Sequence, residues 1–148
     1  MIRKRLASND DRAIHRLVVE QLAPFSRQYQ SGMTISFSEI RKRLNHNKTF
    51  VAAKGYKQPY GFISVIRKSN VLFVDMLAVD PREQGKGLGK ELMKMAEEYG
   101  KSERCRTAEL FVDDSNPNAI GFYTSKGYEI EEYLPELSCY RMKKKLVR

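Results

Sequence analysis

Hydrophobic positions along the chain change period several times. Ile2–Leu6 reads as a short strand. After it, Ile14, Leu17, Val18, Leu22 and Phe25 recur on one face at helical spacing, with Asp10 and Asp11 in the first turn. Ser8 or Asn9 is the expected cap, and the two aspartates suit the positive end of a helix. Gln28–Phe37 reads as loop, and Ser38 as the cap of a short helix that turns Ile40 and Leu44 inward. Thr49–Lys54, Tyr60–Arg67 and Val71–Val79 are strand runs, separated by turn chemistry at 54–59 and 68–70. The third run is apolar on both faces, as expected of a central strand, except at Asp75. Leu88, Leu92, Met95, Ala96 and Tyr99 mark another amphipathic helix, for which Gly100 is the expected C-terminal cap. Thr107–Val112 is strand. Asn116 caps a helix with Pro117 at its first position and Gly127 at its end. Tyr128–Tyr133 and Ser138–Leu146 close the chain as two strands around Pro135. The order is mixed α/β in one domain.

A chain of 148 residues with 41% hydrophobic content suits a single globular core. No apolar run approaches the roughly 20 residues of a membrane helix. Arg3, Lys4 and Arg5 precede polar residues 8–11 where a signal peptide needs an apolar core, so a cytoplasmic protein is expected. Cys105 and Cys139 are too few and too far apart for a zinc site and read as reduced thiols. His15 and His46 lack a metal-ligand partner at helical spacing, and no Gly-x-Ser-x-Gly elbow exists for a serine hydrolase. A net charge of +9 invites a nucleic-acid reading. Part of that excess is the terminal run Arg141–Arg148, more simply a solvated strand face or tail.

The segment Asp80–Lys90 joins the central strand to a helix. Gly85, Gly87 and Gly89 allow backbone to approach a ligand closely. No Ser, Thr, Asp or Asn stands where it could cap the helix, so its first N–H groups are available to an anion. Arg82, Lys86 and Lys90 add positive charge. These features make a phosphate or pyrophosphate cradle. A P-loop is excluded, because Gln84 stands at its first glycine and Glu91 at its hydroxyl. A Rossmann fingerprint ends on Lys90 or Leu92 instead of glycine.

Gln84-Gly-Lys-Gly87-Leu-Gly89 fits Gln/Arg-x-x-Gly-x-Gly/Ala, and resembles the acetyl-CoA motif of the GNAT superfamily of N-acetyltransferases. A second segment, Asn116-Pro-Asn-Ala119-Ile-Gly-Phe122-Tyr123-Thr-Ser-Lys-Gly127-Tyr128, resembles that superfamily's other signature at every fixed position, about 30 residues further on. The resemblance covers the chain from about Val71 onward, and the first 50 residues match only in element order. It implies a GNAT fold, with a mixed central sheet of about six to seven strands and about four helices. It implies acetyl-CoA as cosubstrate and no metal. The backbone of Gln84, Gly85, Lys86, Gly87, Leu88, Gly89 and Lys90 would hold the pyrophosphate. Backbone groups of Leu77, Ala78 and Val79 would meet the pantetheine arm and acetyl carbonyl, with Asn116, Ala119 and Phe122 beside it.

Tyr123 stands where the family carries its general acid, a phenol that protonates the departing thiolate. The alternative is a packing residue. A base must take the amine's proton, and Asp75 is the first candidate, because a lone carboxylate in an apolar strand is costly unless paired or functional. Burial would raise its pKa toward the useful range. Glu109 on the next strand is the second candidate. The acceptor is an amine of a small molecule or protein. Glu129, Glu131, Glu132 and Glu136 could attract it, or form only a solvated hairpin, with Tyr128, Tyr133 and Tyr140 nearby. A homodimer is compatible with the sequence, a membrane partner is not expected, and nucleic acid is disfavoured. The competing reading is a non-catalytic basic module on a CoA-binding fold that binds RNA or protein. It would need aromatic platforms among the basic residues, and none cluster there.

Overall fold

In a computed structural model, which describes residues 1–25 and 35–147, the strand runs pair into one seven-stranded sheet. The strands are β1 (Ile2–Lys4), β2 (Lys48–Ala52), β3 (Gly61–Lys68), β4 (Val71–Val79), β5 (Thr107–Asp113), β6 (Glu129–Leu134) and β7 (Cys139–Lys145). Their spatial order is β1-β2-β3-β4-β5-β7-β6, antiparallel except for the β4–β5 pair. The helices are α1 (Ala7–Leu17), α2 (Phe37–His46), α3 (Leu88–Ser102) and α4 (Pro117–Ser125). The mixed sheet and four helices match the expected fold class. The loop expected over Gln28–Phe37 falls mostly on 26–34, outside the described residues, and Phe37 already belongs to α2.

Two apolar clusters sit on opposite faces of the sheet. Leu92, Met93 and Ala96 of α3 pack on Leu72, Val74, Leu110 and Met142. Ile14 and Leu17 of α1, with Ile40 and Leu44 of α2, pack on Val51, Phe62, Met76 and Ala78. β4 therefore contributes Val74 to one face and Met76 to the other. The cause is a bulge. Ser64 pairs with Met76 and Val65 with Val74, so Asp75 is an extra residue without a partner on β3. What looked like a strand apolar on both faces is an alternating strand whose alternation flips at Asp75.

Several caps differ from those expected. α1 begins at Ala7 with no side-chain cap, and Asp10 instead reaches back to accept the Leu6 N–H at 2.7 Å. Regular α-helix stops at Leu17. Val18–Leu22 is a π-turn and Ala23–Phe25 a 3₁₀ turn that contains Pro24, which has no N–H to continue a helix. Ser36, not Ser38, caps α2, because its Oγ lies 3.0 Å from the Glu39 N–H. Gly100 does not end α3. It is buried inside the helix, where a Cβ would lie 3.0 Å from a Leu72 methyl. Arg104, at φ 64°, takes the left-handed position after the helix.

The two aspartates of α1 are buried, not solvated. Asp10 accepts a fork from Arg3 at 2.7 and 2.9 Å. Asp11 accepts from Arg5 and Arg41. Burial pushes both carboxyls up, but these bonds outweigh it and hold them below the ordinary range. Asp80 is also buried. Bonds from the Arg82 side chain and N–H hold it at about 2, against an ordinary 3.8. A depressed folded-state pKa stabilises the fold above the unfolded value, and that contribution fades as pH falls from 3.8 toward about 2. The urea midpoint is therefore expected to drop between pH 5 and pH 2.5. Asp80→Asn should start lower and lose less over that interval. An identical pH slope in the variant would show that Asp80 does not carry it.

Candidate active site

β4 and β5 are hydrogen-bonded partners only from Val71 to Val74 and from Thr107 to Leu110. The bulge at Asp75 redirects β4 where that ladder ends, so the two parallel strands part. A cleft of about 1240 Å³ opens between them and runs through the sheet from one face to the other. On the α3/α4 face it is lined by Leu88, Gly89, Lys90, Asn116, Ala119, Phe122, Tyr123 and Lys126. On the α1/α2 face it is lined by Val18, Leu22, Phe25, Arg43, Phe73, Asp75, Phe111 and Asp113, with Glu136 and Leu137 from the β6–β7 turn.

The parting leaves one edge of β4 without a strand partner. Asp80 N–H donates to Tyr60 at 2.8 Å, so in the antiparallel β3–β4 ladder the backbone groups of Ala78 and Met76 also point to β3. Those of Leu77 and Val79 point into the gap. Of the three residues expected to meet a ligand through their backbone, Leu77 and Val79 turn those groups to the gap, and Ala78 turns its own to β3. The Val79 carbonyl accepts from the Gln84 side-chain amide at 3.0 Å, which ties the glycine turn to the strand end.

The turn itself is open at its backbone. Gly85 and Gly87 have φ of 82° and 80°, in the left-handed region, and the space a Cβ would fill at either is empty. Gly87 is the N-cap of α3, and among the described residues no side chain caps the first turn. The N–H groups there face the cleft with the helix dipole behind them. Gly89 lies against Phe122, whose ring would be 3.2 Å from a Cβ, so the two sequence motifs meet through this contact. Two of the cations expected at the turn are paired within the protein. Arg82 is bound to Asp80, and Lys86 to Glu83 at 2.8 Å. Lys90 and Lys126 line the cleft. Lys126 was not singled out from sequence, since it is an unremarkable lysine of the second motif until α4 turns it inward.

Asn116 Oδ1 accepts the Ala119 N–H at 3.2 Å and so caps α4, as expected. α4 then presents Phe122 and Tyr123 side by side, their rings 5.2 Å apart. The Tyr123 ring also meets Tyr128 edge-on at 5.9 Å. Burial pushes the Tyr123 hydroxyl up, so it carries its proton at neutral pH. Tyr128 does not reach the cleft. It is buried and donates to Glu97 at 2.8 Å, which also accepts from Lys144.

Asp75 lines the cleft but is not a lone carboxylate. Arg43 of α2 holds both its oxygens, at 2.6 and 2.7 Å, and Asn47 donates to it at 2.8 Å. Asn47 also bonds Ser64, which bonds Thr49, so the bulge is braced by a polar chain from β2 and β3. Arg43 was missed in the sequence because it lies 32 residues from Asp75 on an exposed helix face. Glu109 is held by Arg141 at 3.0 Å. Of the four clustered glutamates, Glu129, Glu131 and Glu132 lie on the exposed edge strand β6, with Glu132 paired to Arg141. Glu136 alone of them lines the cleft. Among the described residues no group of acidic, His or Cys side chains could hold a metal, and Cys105 and Cys139 are buried free thiols. No helix among those residues is long and apolar enough to cross a membrane.

The model of the acetyltransferase (GNAT) family matches residues 14–128, which hold the glycine turn, the cleft strands and α4. The chain belongs to the acetyltransferase (GNAT) family. Outside the family model, an uncharacterized N-acetyltransferase of Methanocaldococcus jannaschii is 38% identical over 82 residues, covering 51% of this chain and 36% of that protein. The chain thus spans little more than a third of the length of this curated relative. Among solved structures, aminoglycoside 6′-acetyltransferase type Ii superposes with a TM-score of 0.81 at 20% identity, over 100% of this chain and 98% of that one. The PaiA N-acetyltransferase of Thermoplasma acidophilum, in complex with coenzyme A, superposes at 0.78 and 21% identity, over 98% of each chain. At these identities the likeness is one of fold.

Proposed function

We propose that this chain is an N-acetyltransferase that moves the acetyl group of acetyl-CoA to a primary amine by direct attack. The observation that carries the reading is one continuous cleft lined from both faces of the sheet. An uncapped, glycine-built helix start and the Tyr123 phenol line it on one face, and the opposite face is open to a second substrate. Residues present fit CoA. The start of α3 with Gly85 and Gly87 suits its pyrophosphate. Lys90 and Lys126 offset phosphate charge, and the backbone of Leu77 and Val79 offers strand-like hydrogen bonds to the pantetheine amides. When bound, acetyl-CoA supplies an activated acyl group.

This chain's residues supply orientation and proton transfer. Tyr123 donates its proton to the departing sulfur. Asp75, on the α1/α2 side where the amine would enter, takes the proton that the nitrogen loses. Arg43 and Asn47 use three of the roughly four lone-pair directions of that carboxylate. One remains for the amine or a water. Release of free CoA thiol, measured against a panel of amines, tests the activity. Saturable acetyl-CoA binding without turnover on any amine would instead favour a binding module.

Asp75→Asn separates the base role from bracing. As a base, its loss lowers the rate most at low pH, and raising pH restores part of it by deprotonating the amine in solution. As a brace alone, the substitution lowers the melting temperature and leaves the shape of the pH–rate profile unchanged. The profile and the melting curve are read on one preparation. A profile superimposable on wild type would move the role to Glu109 or to solvent.

A further inference from the structure

Among the described residues no hydrogen bond fixes the Tyr123 hydroxyl, on which burial alone acts. Its place in the cleft therefore depends on what holds its ring and backbone from behind. Phe122 and Tyr128 flank the ring, with centroids 5.2 and 5.9 Å away. The Tyr123 carbonyl accepts from the Lys126 and Tyr128 N–H groups at 3.0 and 3.1 Å. Any movement of Tyr128 is thus passed directly to Tyr123.

Helix α3 grips this end of α4 at two points. Gly89, in its first turn, meets the Phe122 ring. Glu97, two turns further on and about 12 Å along the axis, accepts from the Tyr128 hydroxyl at 2.8 Å. Its other oxygen accepts from Lys144 of β7 at 2.8 Å. Lys144 reaches it over Gly127, where a Cβ would lie 3.4 Å from the Lys144 Cε, and its ammonium stands 5.7 Å from the Tyr128 ring centre. The Glu97 and Lys144 side chains are only 12% and 29% exposed. An ion pair this buried stabilises little beyond apolar packing of the same volume, because desolvation offsets its attraction. What a two-oxygen acceptor does, and a leucine could not, is fix the Tyr128 ring at one height and one angle against α3. The same helix begins at Gly87, so one rigid element spaces the phenol from the proposed pyrophosphate site.

Resting on the acetyltransfer reading and on Tyr123 as its acid, we propose that Glu97 is a positioning residue for the Tyr123 hydroxyl. One carboxylate outside the cleft ties Tyr128 and Lys144 to α3, and so sets where the phenol meets the departing sulfur. Glu97 touches neither substrate. It acts through Tyr128 and the turn that ends α4, and its effect requires the hydroxyl to be present.

The test is a double-mutant cycle between Glu97→Leu and Tyr123→Phe in the full chain. Thiol release from acetyl-CoA is read with spermidine, 2-phenylethylamine and a peptide with a free N-terminal alanine, and the fastest of the three serves as acceptor. Glu97→Leu alone is expected to lower the rate at saturation by about 5- to 100-fold, the scale of a small misplacement. The KM for acetyl-CoA should stay within about 2-fold, since cofactor binding does not use the hydroxyl. In the Tyr123→Phe background the same substitution should cost less than about 2-fold, because no hydroxyl is left to aim. Glu97→Gln keeps an oxygen for the Tyr128 hydroxyl and should recover most of the loss. Tyr128→Phe removes one hydroxyl and keeps the ring, so it completes the same cycle if melting curves show Glu97→Leu to be unfolded. Equal losses in the two backgrounds would mark a structural role only and overturn the proposal, with acetyltransfer intact. A wild-type rate in folded Glu97→Leu protein would do the same. A wild-type rate in Tyr123→Phe overturns the acid role, and the role of Glu97 with it. No thiol release with any of the three amines overturns both acetyltransfer and the proposal, an outcome distinct from equal losses in an active enzyme.

Discussion

Gly87→Asp is expected to abolish measurable acetyl-CoA binding, a loss of at least about 100-fold, or about 3 kcal/mol. Two effects add. The native φ of 80° is one that L side chains rarely adopt, so any side chain strains the turn. The new carboxylate also sits at the start of α3, where it meets the helix N–H groups itself and repels a pyrophosphate. Since the space for a Cβ is empty, the fold has no clash to absorb. Gly87→Ala isolates the strain: it should weaken binding by much less than Gly87→Asp. Calorimetry on both variants reads the difference. Wild-type affinity in a folded Gly87→Asp protein would move the cofactor away from this turn.

Tyr123→Phe is expected to keep acetyl-CoA affinity and lose turnover by roughly 10- to 1000-fold, the range for a single general acid. The ring would still pack between Phe122 and Tyr128, so neither α4 nor the cleft wall should move. Only the hydroxyl is lost. Burial keeps that hydroxyl protonated, as a donor must be, and a group that acts when sulfur departs affects kcat more than KM. Single-turnover transfer, measured beside equilibrium binding, separates the outcomes. An unchanged rate would make Tyr123 a packing residue. Lost affinity with an unchanged rate at saturation would make it a clamp for the cofactor.

The residues of the candidate site that sequence alone revealed share one property: their geometry is local. Gly85, Gly87 and the uncapped start of α3 lie within a few residues of one another, and their dihedrals and free N–H groups follow from side chains that are absent. Asn116 and Pro117 start α4 by a bond that spans three residues, and the helix repeat then sets Tyr123 relative to that start. Strand runs were legible for the same reason, since alternation and turn residues are read within a window of ten. Contacts between distant segments were not. Asp75 stood out as a carboxylate among apolar residues, but its role as the bulged residue depends on how β3 pairs with β4. Its partner Arg43 depends on where α2 docks. Asp10 and Asp11 looked like helix-start charges and are buried, because Arg3 of β1, Arg5 just after it and Arg41 of α2 converge on them. Gly100 looked like a cap and is a packing position, because Leu72 of β4 leaves no room for a side chain. The cleft belongs to this second group. No single residue announces that β4 and β5 part after Val74 and Leu110. One inserted residue breaks the register, and only the assembled sheet turns that into an opening through its centre.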